Sequence, residues 1–204
     1  MKRIIILASG SGSNAENLIH FFRDHKTISV VQVLSNNSQA KVLERTKKLG
    51  VSAFSFNRIA FAKTDDVLKL LKASQPDLIV LAGFLWKLPE HIIEAFPDKI
   101  INIHPALLPK YGGKGMYGSF VHEAIVANKE TETGISIHYV NANYDEGAII
   151  FQTKCPVNAT DTAEDIAAKI HDLEMEHFPK VVQEILNSKK NKIPKPKTYN
   201  QKLS

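Results

Sequence analysis

Three side chains at two places in this 204-residue chain could carry an acyl transfer to an amine. Asn102 and His104 stand in the string Ile101-Asn102-Ile103-His104-Pro105, and Asp145 follows 41 residues after His104 in Tyr144-Asp145-Glu146-Gly147. A side-chain amide can donate to the oxyanion that forms when an amine attacks an acyl carbon. An imidazole can move the proton, and a carboxylate can orient and charge the imidazole. Asn102 and His104 are two apart, so an extended backbone puts them on one side. They end an apolar run and precede a proline-punctuated loop, which marks the carboxyl end of a strand, where α/β sheets bind ligands. Of the eight histidines, only His104 has such a frame.

A second candidate is the loop Ala8-Ser9-Gly10-Ser11-Gly12-Ser13-Asn14. It separates a first apolar run from a first helical pattern, where backbone N–H groups can hold an anion. It is neither a nucleotide loop ending in Gly-Lys-Ser/Thr nor a full dinucleotide fingerprint, because Gly10-x-Gly12 lacks the third glycine. Taken alone, the loop is equally well read as a plain strand-to-helix turn.

The elements that must position these groups follow from periodicity. Residues 2–7 are apolar after two basic residues, as in a strand buried on both faces. Helical spacing marks residues 13–22, 39–49, 59–73 and, with Pro89 at its first turn, 89–96. Strands are expected over 29–34, 51–56, 76–82 and 99–103. This alternation, with a strand about every 20–25 residues, predicts an α/β fold: a Rossmann-like, doubly wound, mostly parallel sheet with helices on both faces. The pattern then changes. Residues 134–139 and 148–153 read as adjacent strands joined by 141–147, an antiparallel addition near the C-terminal part. Asp161 or Thr162 could cap a long last helix reaching about Leu186. No repeat or internal linker interrupts the chain, so residues 1–187 are expected to form one domain. Residues 188–204 are expected to be a flexible tail.

Composition narrows the function. At 44% hydrophobic and 23% charged, the chain is ordinary for a globular protein. No apolar run approaches the ~18–20 residues that span a bilayer, so no membrane role is expected. One cysteine, Cys155, excludes an internal disulfide framework and a thiolate metal site, and points to the cytoplasm. Much of the net charge of +5 sits in the tail, at Lys189, Lys190, Lys192, Lys195, Lys197 and Lys202. With Tyr199 as the one aromatic among them, this is a solvated basic end rather than a nucleic-acid site. A basic surface also suits anionic small molecules.

The string Asn102-Ile103-His104-Pro105-Ala106-Leu107-Leu108-Pro109-Lys110-Tyr111 resembles the signature of the folate-dependent formyltransferases, and the likeness covers roughly residues 3–187. Within that family the chain is similar to the members that formylate glycinamide ribonucleotide in purine biosynthesis. The resemblance implies transfer of a formyl group from 10-formyltetrahydrofolate, a cosubstrate, to that ribonucleotide's amine, with no metal. It implies catalytic roles for Asn102, His104 and Asp145. It places Gly12, Ser13 and Asn14 on the substrate phosphate and Glu174 near the ribose. The folate would be held by Lys63, Leu85, Trp86, Lys87, Leu88 and Asn102, with backbone groups of 141–147 at the pterin edge, while Leu81 and Phe84 pack the core. In this scheme Asp145 raises the pKa of His104 by favouring its charged form.

Residues 112–122 depart from the family pattern. Gly112, Gly113, Gly115 and Gly118 suggest a mobile loop, either closing over bound substrates or simply loose. The same signature serves formyl transfer to methionyl-tRNA, hydrolysis of formyl-folate and formylation of sugar nucleotides. The first two usually bring an additional domain, which is not expected here. A non-catalytic folate- or nucleotide-binding module would not need all three catalytic residues. The expected partners are small molecules, and the protein is expected to act as a monomer or a homodimer.

Overall fold

Ile4, Ile5, Ile6 and Leu7 are all fully buried, as a strand covered on both faces requires. They belong to β1 (Lys2–Leu7), which has strands on both sides and is the middle one of the five that run parallel. The computed structural model describes residues 1–143 and 145–188 and the backbone of 197–198. In chain order the further strands are β2 (Ile28–Ser35), β3 (Ser52–Ser55), β4 (Leu78–Leu81), β5 (Ile100–His104), β6 (Glu132–Tyr139), β7 (Ile149–Pro156) and β8 (Lys197–Thr198). Among the described residues they form one sheet in the order β3-β2-β1-β4-β5-β6-β7-β8.

Strands β1 to β5 run parallel, and β6 lies antiparallel to both β5 and β7. The chain moves outward from β1 through β2 to β3, then returns to β4 on the other side of β1. The gap between the carboxyl ends of β1 and β4 is therefore a topological switch point, where open α/β sheets place ligands. The loops leaving these strands are residues 8–12 and 82–89, and the two are tied together. The Ser9 N–H donates to the Gly83 carbonyl at 3.0 Å, and the Leu85 N–H donates to Ser9 Oγ at 2.9 Å.

The helices are α1 (Ser13–Phe22), α2 (Lys41–Lys48), α3 (Arg58–Ala62), α4 (Asp66–Ser74), α5 (Glu90–Ala95), α6 (Ser119–Ala127) and α7 (Ala163–Asn187). Strand alternation splits the core in two. Ile4, Ile6, Ile101, Ile103, Ile135 and Ile137 pack beneath α1, α2, α6 and α7. Ile5, Leu7, Ile79, Leu81 and Ile100 pack beneath α3, α4 and α5.

Two expectations are corrected. The single helix over 59–73 is two helices. The Lys63 and Thr64 N–H groups both close on the Ile59 carbonyl, at 2.9 and 3.0 Å, which ends α3, and the Thr64 hydroxyl turns to Asp66 at 2.6 Å at the start of α4. Short polar side chains favour such local bonds over a helix interior. Second, the loop expected over 112–122 gives way at Ser119 to α6, which buries Val121 and Ile125 four apart on one face. The preceding glycines mask that periodicity. Apart from Ser188 and the backbone of β8, the tail expected over 188–204 lies outside the described residues.

Candidate functional site

Asn102 and His104 reach the site because β5 ends there, with both side chains on the face opposite Ile101 and Ile103. The antiparallel register sets Asn102 across from His138 and His104 across from Ser136. Four polar side chains therefore share one face of two adjacent strands. After β6 the chain folds back over that face and delivers Asp145, at φ 55°. Gly147 makes the return possible, because a Cβ there would lie 1.6 Å from the Tyr139 carbonyl oxygen.

The Asp145 carboxylate gathers the group. Its Oδ2 accepts from the Gly113 N–H at 3.0 Å and lies 3.6 Å from His104 Nδ1. Its Oδ1 lies 3.4 Å from Asn102 Nδ2 and 3.5 Å from His138 Nε2. His138 gives its Nδ1–H to the Tyr139 carbonyl at 2.8 Å, which leaves Nε2 to accept from Asn102 Nδ2 at 3.2 Å. His104 gives its Nε2–H to the Tyr111 carbonyl at 2.7 Å, so its Nδ1 carries the lone pair.

The electrostatics differ from the sequence expectation. Burial, at 3% exposure, pulls the His104 imidazole below its ordinary range. Asp145 and the Tyr111 carbonyl favour the charged form, as expected, but they do not outweigh that cost, and His138 adds to the fall. Burial also works against the Asp145 carboxylate, yet the neighbouring His138, the Gly113 N–H and His104 hold it below its usual range. The resting site thus pairs a neutral His104 with an ionised Asp145.

These groups open onto a cavity of about 770 Å³ at the switch point. Gly12, Ser13 and Asn14 line it where α1 begins. Gly12 sits at φ 80°, and no side chain caps the helix. A Cβ at Gly12 would meet Val42 of α2 at 2.4 Å, so the close packing of α1 on α2 needs a glycine. The bare N-terminus leaves first-turn N–H groups for an anion. Glu174 of α7 lies across the loop, and its carboxylate accepts from Asn14 Nδ2 at 2.8 Å. Burial pushes the Glu174 carboxyl up to about 7, against that bond. The Asn14 Oδ1 is buried without a partner, ready to accept from a ligand.

Of the residues expected at the folate, Asn102 and Leu85 line the cavity, with Leu85 49% exposed at its edge. Leu88 is buried in the core beneath α5, and Trp86 packs against Phe56 and Phe61 with Arg58 over its ring. Lys63 and Lys87 are exposed, and neither lies on the cavity wall. The sequence assigns no role to His138, His122 or His171, which join the cavity or the group around Asp145, and residues 113–118 of the glycine-rich loop singled out in the sequence line the cavity. The strand alternation of Ser136 and His138 held a signal for His138, but using it requires the β5–β6 register. Among the described residues no group of acidic, histidine or cysteine side chains has the arrangement of a metal site.

The family model described as "Formyl transferase" matches residues 2–182. The chain is 34% identical over 190 residues to the chloroplastic phosphoribosylglycinamide formyltransferase of Vigna unguiculata, covering 89% of this chain and 60% of that protein. It is 32% identical over 193 residues to the phosphoribosylglycinamide formyltransferase of Bacillus subtilis (strain 168), covering 91% and 95%. Among solved structures, glycinamide ribonucleotide transformylase 1 from Symbiobacterium toebii superposes with a TM-score of 0.83 at 31% identity, covering 91% of this chain and 88% of that one.

Proposed function

The chain belongs to the formyl transferase family, and from that premise we propose that it moves the formyl group of 10-formyltetrahydrofolate to the amine of glycinamide ribonucleotide. The observation that carries this reading is one cavity holding both the Asn102, His104 and Asp145 group and, across it, an uncapped helix N-terminus beside Glu174. The first can transfer an acyl group. The second can hold a phosphorylated sugar.

The ribonucleotide phosphate sits against Gly12, Ser13 and Asn14, and Glu174 takes the ribose hydroxyls. The folate supplies the formyl carbon, and its fit rests on the apolar edge at Leu85 beside Asn102. Leu88 and Trp86 back that edge from the core, and Lys63 and Lys87, exposed outside the cavity wall, are cations for the glutamate tail. The ribonucleotide amine attacks the formyl carbon. Asn102 Nδ2 turns from His138 to donate to the oxyanion, an interaction worth ~2.7–4 kcal/mol at comparable acyl-transfer sites. The attacking nitrogen loses a proton and folate N10 gains one as its bond to the formyl carbon breaks. His104 Nδ1, neutral and facing Asp145, is the group placed to accept and return that proton, and Asp145 stabilises the imidazolium meanwhile. Balance requires no other reactant. The reading takes the protein to act in the cytoplasm on these small molecules, as a monomer or a homodimer.

The test is release of tetrahydrofolate from 10-formyltetrahydrofolate by the purified protein, with and without glycinamide ribonucleotide. Release that requires the ribonucleotide is the expected result. Equal release without it would replace transfer with hydrolysis, and no release at all would remove the assignment.

A further inference from the structure

The tautomer of His104 depends on one backbone carbonyl, and that carbonyl belongs to a residue in an unusual conformation. A carbonyl can only accept, so its 2.7 Å contact fixes the proton on Nε2 and leaves Nδ1 as the basic nitrogen facing Asp145. Tyr111 provides it while sitting at φ 56°, a left-handed conformation rarely adopted by a bulky side chain. Such a conformation persists where the surroundings over-determine it.

The surroundings here are specific. The Tyr111 hydroxyl donates to Glu130 Oε1 at 2.9 Å and accepts from Asn128 Nδ2 at 3.0 Å. Lys110 Nζ holds both Glu130 oxygens, at 3.0 and 3.2 Å. Asn128 caps the end of α6, Lys129 turns the chain at φ 51°, and the Glu130 N–H closes on the Ile125 carbonyl at 3.2 Å. The α6–β6 turn thus presents two side chains to one phenol, whose ring packs on the core. Lys110 and Tyr111 hold the Glu130 carboxyl below its usual range, and burial with the Glu130 contact holds the phenol above its own, so an anion faces a neutral hydroxyl at neutral pH.

We infer that Glu130 and Asn128 are positioning residues for His104: by clamping the Tyr111 phenol they aim the Tyr111 carbonyl at Nε2 and so choose which imidazole nitrogen is the base. None of Tyr111, Asn128 and Glu130 lines the cavity, so each acts through His104 and not on substrate. The inference rests on the formyl-transfer reading for its kinetic consequence, though not for its structural one.

The experiment uses full-length protein with ¹⁵N-labelled histidine, His104 being assigned by the signal lost in His104→Ala. Wild type should show neutral His104 with the proton on Nε2. Tyr111→Phe, which removes only the hydroxyl, and Glu130→Ala should show a mixture of tautomers. Their kcat should fall about tenfold, the worth of one hydrogen bond, with both KM values nearly unchanged. Glu130→Gln keeps an acceptor and should restore the wild-type signal and kcat. A wild-type tautomer in Tyr111→Phe overturns the inference, as does a shifted tautomer with unchanged kcat. Tyr111→Phe decides the matter if Glu130→Ala does not fold. The tautomer is read without turnover, so failure of the clamp and failure of the proposed reaction are separable.

Discussion

At the residue scale the site sets an ionised carboxylate against a buried, neutral imidazole. His104→Ala and Asp145→Asn should each lower kcat by roughly 10²–10⁴-fold, the usual worth of a positioned proton-transfer group. Folate KM should change far less, and steady-state kinetics check both. Because burial holds His104 below its ordinary value of 6.5, the acidic limb of kcat/KM in wild type should inflect below 6.5. Activity is then lost as the pH falls through that point, and an inflection well above 6.5 that His104→Ala abolishes would refute the neutral-base reading. The three residue types, and the two-residue spacing of Asn102 and His104, were legible in the sequence. The pKa direction was not, because Asp145 is nameable from a string of letters while the surrounding desolvation is a property of the packed fold. His138 was hidden similarly, since only the antiparallel register sets it across from Asn102. The Tyr111 carbonyl and the Gly113 N–H had no signal, because every residue carries a backbone.

At the element scale, the return of the chain after β6 controls whether Asp145 arrives. Gly147→Ala puts a methyl carbon 1.6 Å from the Tyr139 oxygen, so the turn must open. The expected cost is at least ~2 kcal/mol of stability, in the range of severe single substitutions. A fall in kcat should accompany it, because Asp145 moves with the turn; denaturant unfolding and turnover measure the two effects. A variant as stable and active as wild type would show that the turn has slack that its geometry does not suggest. The buried parallel strands were the most legible elements, since a sheet covered on both faces writes continuous apolar runs such as Ile4-Ile5-Ile6-Leu7. Short helices were the least legible. The break between α3 and α4 rests on Thr64 bonding to Asp66, and α6 begins directly after a glycine-rich stretch.

At the scale of the whole molecule, the switch point between β1 and β4 could be anticipated from the alternation of strands and helices, and the cavity lies there. What the alternation did not convey is that one side of the cavity is closed by joining distant parts of the chain. Asn14 and Glu174 are 160 residues apart, and their bond, with that of Asn17 to the Met175 carbonyl at 2.9 Å, fastens α7 to α1. The folded-state value of Glu174, about 7, is above its ordinary 4.5. Its contribution to stability is therefore present in full below 4.5 and is lost as the pH rises through 7. Glu174→Gln should remove that slope. The difference in Tm, variant minus wild type, should grow by at least ~3 °C from pH 5 to pH 8 at ~2–4 °C per kcal/mol, as read by calorimetry, and a constant difference would refute it. The same fastening bears on synthesis. A chain emerging from the ribosome has made Asn102, His104 and Asp145 while residue 174 is still unmade, yet α7 covers the same core face as Ile101, Ile103, Ile135 and Ile137, so β5 and β6 lack part of their cover until α7 docks. A nascent chain that stops short of α7 therefore carries the side chains of the site without the packing that arranges them, and the two sides of the cavity mature together.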